Sequence, residues 1–376
     1  MWAVSDKTRM ILAGDHFVSP VMSASYGDKV TVPQLGVASG VITKTLTDQV
    51  ARETLSVTVD DDLGELIPIK ATDPLAPYGQ TVTVSLRVSA GEADDQIPMG
   101  TFLIDQPEPT GGWRLWRGQT IPTGGTVRLQ CSDLVQRLVE CEIAGLMQPA
   151  GTRVRDEVYR LCAGVVPVNI TNIPAGETVG TNGLLYEPSR LDNVKTLLAG
   201  TGMVIAPSRA GVVTVVDLPS EVSKRVTIDS AEWVSSEMNQ SRDRIYNTWV
   251  TSNAVGEETI RGVAVEKGGA FGADAPLGPR IYRHSSPVYA DSQSAQKGAE
   301  TLKRHHIEER QIRVRVETTF DPTVDVGDLH QVEIVPGKLA VTARLVKAAI
   351  PLTGGLQVHE YEIAREEVEA WRRLSN

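Results

Sequence analysis

The chain reads as a mainly β protein with a small α+β insert. Apolar residues alternate with period two over residues 16–129 and again from residue 224 onward, and a stretch with helical spacing, 131–218, lies between them. Its 376 residues exceed one ordinary core, so several domains are expected.

The elements follow in chain order. Ser5 is a good N-cap for a helix reaching Ala13, and Gly14 stands where a left-handed C-cap residue belongs. Val30 and Val32, then Leu55, Val57 and Val59, then Val82, Val84, Leu86 and Val88 mark half-buried strands between turns rich in Gly, Pro and Asp. Six or more antiparallel strands are therefore expected before residue 130. Ser132 is read as the cap of a helix with Leu134, Val135, Leu138 and Val139 on one face, and a second helix runs over 153–163 to Gly164. Ser189 with Asp192 resembles a capping box, followed by the stripe Val194, Leu197, Leu198 and a stop at Gly200. Strands over 202–206 and 211–216 flank the turn Pro207-Ser208-Arg209-Ala210. Strands return over 226–229, 232–237 and 245–251, and residues 253–287 read as a loop-rich stretch with little periodicity. Asp291 caps a helix to about 306, strands fill 313–363, and a charged helix covers 365–374.

Two segments look alike. Gly79-Gln80-Thr81-Val82 opens a run that ends in Pro109-Thr110-Gly111-Gly112, and Gly327-Asp328-Leu329-His330 opens one that ends in Leu352-Thr353-Gly354-Gly355. The two β regions read as copies or as a chance recurrence of Gly-rich turns, since a second Thr-Gly-Gly at Thr123 loosens the alignment. If they are copies, three subunits can build a ring of six barrels, with the inserts outside.

The order of these features resembles the baseplate hub, or tail-hub, proteins of siphophage-type tailed bacteriophages. The resemblance rests on Glu53-Thr54-Leu55-Ser56-Val57-Thr58-Val59-Asp60 before Leu66-Ile67-Pro68, and on Asp73-Pro74-Leu75-Ala76-Pro77-Tyr78-Gly79-Gln80. It continues with Ile97-Pro98-Met99-Gly100-Thr101-Phe102, Gln130-Cys131-Ser132-Asp133-Leu134, and the helix and hairpin of 191–216. Arg244-Ile245-Tyr246-Asn247, Arg261-Gly262-Val263-Ala264, Ile281-Tyr282-Arg283-His284-Ser285-Ser286-Pro287 and Val326-Gly327-Asp328 complete it. It implies two tube-like β-barrel domains related by internal duplication, a small α+β domain and a peripheral loop-rich region. Residues 1–130 would form the first barrel with its N-terminal helix, 131–223 the insert, 224–252 and 308–364 the second barrel, 253–307 a loop-rich and helical peripheral insert, and 365–376 a closing helix. Ending there, the chain is expected to carry no appended hydrolase or receptor-binding module.

The resemblance further implies a homotrimer at the virion tail tip, assembled in the host cytoplasm, that adapts a six-fold tube to a three-fold tip. Its partners would be the distal tail ring or tail tube protein, the tape-measure protein, tail-tip or receptor-binding proteins, and genomic DNA passing through without specific binding. A hexameric distal tail ring and a tip adhesin for host cell-surface carbohydrate are the alternatives, with a peptidoglycan-cutting hub as a third.

Composition narrows the classes of function. Forty-seven acids against 37 bases give a net charge of −10, which argues against a protein that clamps nucleic acid. An acidic channel wall with few Lys and Arg is expected. Hydrophobic residues at 41% and charged residues at 22% exclude wholesale disorder. No apolar run nears the roughly 20 residues that span a bilayer, and residues 1–14 are too polar for a secretory signal, so no membrane insertion is expected. Cys131, Cys141 and Cys162 read as free thiols, the first two flanking the helix after Ser132.

No catalytic residue, metal or cofactor site is read, and the chain is not expected to be an enzyme. Asp60, Asp61 and Asp62 lack the calcium-loop pattern, because Glu65 holds the sixth place and Ala71 the twelfth. His305 and His306 are adjacent and point apart on a helix, so His305 with Glu309 reads as a surface pair. Cys162 lies on a buried helix face, and Gly268-Gly269-Ala270-Phe271-Gly272 lacks the Lys of a phosphate loop. Trp113, Leu115 and Arg117 fall on one strand face and Arg114 and Trp116 on the other, a pattern read as a strand covered by a partner subunit. Lys303, Arg304 and Arg310 are offset by Glu308 and Glu309.

Overall fold

The computed structural model describes residues 4–47, 50–143, 147–148, 151–176, 178–179, 184–198, 203–226, 233–239, 245–255, 258–285, 291–308, 311–335 and 339–364. The expected helix over 365–374, Gly200, Glu309 and Arg310 lie outside the described residues. The chain divides into two compact units, residues 1–236 with 316–361 and residues 237–315 with 362–376.

The first unit opens with α1 (Asp6–Leu12), capped by the Ser5 hydroxyl, which accepts from Thr8 N at 3.0 Å. Seven strands follow: β1 (Phe17–Tyr26), β2 (Lys29–Leu35), β3 (Val37–Thr47), β4 (Val50–Asp61), β5 (Gln80–Ala90), β6 (Ala93–Trp116) and β7 (Gln119–Asp133). They pair with one another antiparallel, in the order β3-β4-β7-β6-β5-β1-β2. Period two decides their faces: Val82, Val84, Leu86 and Val88 are buried, as are Leu55, Val57 and Val59, while the residues between them face outward.

The insert comprises α2 (Gln136–Glu140), β8 (Met147–Gln148), α3 (Val154–Cys162), β9 (Val168–Asn169), β10 (Leu184–Leu185), α4 (Arg190–Leu198), β11 (Met203–Pro207) and β12 (Val213–Asp217). Leu138, Val158, Leu161, Val194, Leu198, Ile205 and Val215 share one core with Val50 and Leu103 of the large sheet. Here Ser132 does not cap a helix, because β7 runs through it. The next residue's carboxylate, Asp133, accepts from Val135 N and Glu53 N and pairs with Arg52, so the chain stays tied to β4 until Gln136. Cys131 is consequently a strand residue, and Val139 is exposed.

After the insert come β13 (Val222–Val226), β14 (Trp233–Asn239), β15 (Thr248–Val255), β16 (Glu258–Val265), β17 (Ile281–Ser285), α5 (Ser292–Glu308), β18 (Gln311–Thr318), β19 (Leu329–Val335), β20 (Leu339–Pro351) and β21 (Gln357–Ala364). The neighbour order β14-β18-β21-β20-β19 repeats β3-β4-β7-β6-β5 element for element, and β13 flanks β19 as β1 flanks β5. The flanking strands differ in direction, parallel for β13 and antiparallel for β1. Both halves belong to one sheet, because β20 pairs with β19 through residues 339–344 and with β3 through residues 347–351.

In the second unit β15 pairs antiparallel with β16 and parallel with β17, around a core of Trp249, Ala264 and Ala299. The stretch read as loop thus contains β16 and β17. Its pattern is faint because α5 packs against Gly262, where a Cβ would lie 2.3 Å from the Ala295 backbone, and against Ala264. Buried Asn247 organises the Gly/Pro turns that follow, donating to Phe271 O and Gly278 O and accepting from Arg280 N. Asp291 caps α5, accepting from Ser294 N at 2.7 Å.

One buried polar array in the first unit joins β19 and β21. The Tyr361 hydroxyl lies 2.8 Å from His330 Nδ1 and 3.1 Å from His359 Nδ1, and His359 Nε2 is 3.2 Å from Gln357 Oε1. Burial, then the neighbouring His359 and Lys224, lowers His330 to about 3, and burial, then Lys224, lowers His359 to about 4. Between pH 6.5 and these values the unfolded chain binds protons that the folded chain refuses, so stability is present at neutral pH and lost on acidification. Lowering the pH from 7 to 5 is expected to cost about 2 kcal/mol per histidine in urea unfolding, and His359→Gln to flatten that slope.

Close approach also demands glycine at the β6–β7 waist, since a Cβ on Gly125 would lie 2.0 Å from Thr110 O. Gly125→Ala is expected to destabilise by about 2–3 kcal/mol, read from the urea midpoint at pH 7.5.

Candidate functional surface

The face of β1, β3, β4, β5, β6 and β7 that lies opposite their buried valines carries many hydroxyls, and where Leu103 joins the row of Ser132 and Thr81 it packs into the insert core. Register aligns Thr43, Thr54 and Ser132 in one cross-strand row, and Ser23, Thr83 and Thr101 in another. Ser25 faces Thr81, and Ser56 faces Gln130, which in turn faces Gln106. Thr83 and Thr101 hydroxyls stand 3.2 Å apart, and the Gln130 amide is hydrogen-bonded to Ser56 Oγ at 3.2 Å. Strand alternation explains the arrangement, since β-branched Thr suits a pleated surface and its partner positions fill the core.

Three arginines of these strands stand beside carboxylates. Arg87 pairs with Asp94 at 2.7 Å, Arg52 with Asp133 at 3.0 Å, and Arg128 stands across from Glu108. A shallow cleft of about 430 Å3 opens here, lined in part by Gln80, Leu103, Asp105, Ser132, Arg137 and Glu140. Ser132 Oγ donates to Asp105 at 2.5 Å, while partial burial raises the Asp105 carboxyl.

Behind the face lies a buried charge node. Lys44 Nζ, almost fully buried, is 2.8 Å from Glu53 and 2.5 Å from Asp325. Arg209, from the β11–β12 turn, reaches the same Asp325 oxygen at 2.9 Å and donates to Pro322 O and Val324 O. Burial alone would raise both carboxyls. Lys44 and Arg209 overcome it at Asp325, which is held below the usual carboxylate range, whereas at Glu53 burial prevails and the carboxyl is raised.

The residues singled out from sequence are scattered rather than gathered. Asp61 is buried and accepts from Glu65 N and Leu66 N, closing the turn after β4. His306 Nδ1 bonds Leu302 O within α5, and its ring packs on Tyr246 and Tyr282. Cys162 is buried in the insert core, which pushes its thiol up to about 11. Gly268 N donates to Asp274, so that loop closes on itself, and Lys303 Nζ donates to Val265 O. Leu115 and Trp116 are both exposed, and the strand alternation ends at Arg117, which takes a left-handed turn (φ 51°) and lies over the Trp116 ring. Sequence reading missed the node, whose only early trace is a Lys at an inward strand position.

No helix among the described residues is long and apolar enough to cross a membrane. Neither a protein-family model nor a curated protein matches the chain in sequence. Solved structures do match in fold. The 43 kDa tail protein of prophage MuSo2 from Shewanella oneidensis aligns with a TM-score of 0.63 at 13% identity, over 91% of this chain and 98% of that one. A tail protein from Neisseria meningitidis MC58 aligns with a TM-score of 0.61 at 13% identity, over 92% and 96%. The half-lidded PdpA–VgrG complex of Francisella gives 0.53 at 8% identity, over 95% of this chain and 61% of that one. The chain therefore has the fold of these tail proteins.

Removing Lys44 leaves two carboxylates near one buried site. Lys44→Ala is expected to destabilise by about 3–5 kcal/mol in urea unfolding, and Lys44→Met with Glu53→Gln to recover a large part of the loss.

Proposed function

We propose that the protein is a structural, non-catalytic tail-hub protein of a bacteriophage. Three copies form a ring at the distal end of the tail tube, and the ring adapts a six-fold tube to a three-fold tip. The observation that carries this reading is the repeated strand order, β3-β4-β7-β6-β5 and β14-β18-β21-β20-β19, in a chain whose fold matches phage tail proteins along nearly its whole length. An internal duplication gives each subunit two tube-like segments, so a threefold ring presents six. In this reading residues 1–130 carry the first segment, 131–223 the insert, 224–252 with 308–364 the second, and 253–307 a peripheral addition.

The hydroxyl face is the candidate wall of the bore. Passage of a tape-measure protein and then of DNA requires a surface that does not retain phosphate, and retention comes from unpaired Lys and Arg. On the first repeat Arg52 and Arg87 are each ion-paired and Arg128 faces Glu108, while Thr and Ser supply most of the rest. The wall in this reading is close to neutral rather than acidic, which refines the expectation drawn from the net charge of −10. Partners are the tube or distal ring protein on one side and tail-tip or receptor-binding proteins on the other, at the virion tail tip.

Native mass measurement of the purified protein is expected to give three chains, and six or one would count against the hub. In that trimer, Thr43→Lys, Thr54→Lys and Ser56→Lys together are expected to create measurable, salt-sensitive retention of DNA at 50 mM salt, where the unaltered protein retains none.

A further inference from the structure

The β6–β7 hairpin is longer than its sheet. β4 pairs with β7 only as far as Asp61 and Gly125, and beyond that point the two strands pair with each other alone, from Trp113 with Pro122 to Trp116 with Gln119. Glycines form a narrow waist at the base of this extension, where a Cβ on Gly124 would lie 2.8 Å from Asp62 O. At its tip Leu115 is 75% and Trp116 51% exposed. The Arg117 guanidinium lies 4.5 Å from the centre of the Trp116 ring.

The fold does not need this extension. In the second repeat the equivalent hairpin closes at once, with β20 ending at Pro351 and β21 starting at Gln357. An added ribbon that presents Leu and Trp to water costs solubility unless something covers it, and Trp flanked by Arg is the composition of an interface anchor. Charge indicates what covers it. Residues 113–122 carry Arg114 and Arg117 and no carboxylate, within a chain of net charge −10, so the body of another copy attracts the tip while two tips repel. Such a contact joins unlike surfaces, and unlike contacts close into rings rather than twofold pairs.

We propose that this hairpin tip, Arg114 to Gln119, is an arm that docks on the body of a second copy of the same chain. The proposal rests on the ring-forming hub reading and adds the contact that joins neighbours.

A photoreactive phenylalanine analogue at position 116 tests it in the full-length protein. A covalent two-chain product on a denaturing gel is expected after illumination. Leu115→Ser with Trp116→Ser is expected to weaken assembly at least tenfold in native mass titration while leaving the thermal unfolding profile of the single chain in place. Products confined to one chain or to another protein, together with a doubly substituted protein that still assembles as threes, would overturn the arm and leave the hub intact. An unaltered protein that runs as a single chain at all concentrations removes both the hub and the arm.

Discussion

Asp325 holds together three parts of the chain that are remote in sequence. Lys44 reaches it from β3 and Arg209 from the insert, and Glu53 on β4 shares the same lysine. Two cations and two carboxylates brought out of water are costly unless each is matched, and together they leave little choice of partner. That constraint sets register. With Lys44 inward, Thr43 and Thr45 must face outward, and the alternation carries through β4 and β7 to give the hydroxyl face.

One sheet carries both strand orders, because β20 leaves β19 near Arg344 and joins β3 at Lys347. The insert docks from the other side, with Ile205 beside Val50 in the sheet and Arg209 in the node, so its helices are fixed to the sheet by a core and by a charge.

The two strand orders match in their neighbours and differ in their loops. The first carries the long hairpin and the loop closed by Asp61 and Asp73, and the second carries the His330–Tyr361–His359 array. The histidines gain their hydrogen bonds only in the folded chain, and their reluctance to accept protons follows from burial.

Local chemistry was legible from the residues. Ser5, Ser189 and Asp291 mark helix starts because their oxygens satisfy the first free N–H groups, and Val82 to Val88 mark a strand because period two is a property of the backbone. The repeated order of strands was only hinted at by similar turns, since pairing is a long-range choice. The start of α2 was misread because Asp133, not Ser132, is tied to β4, and β16 escaped notice because its buried positions are Gly262 and Ala264. Sequence thus determined most of the elements and the alternation of the early strands. Tertiary structure alone decided which strands neighbour one another and that Lys44, Glu53, Arg209 and Asp325 meet, because the attraction between buried charges depends on distances that no local pattern encodes.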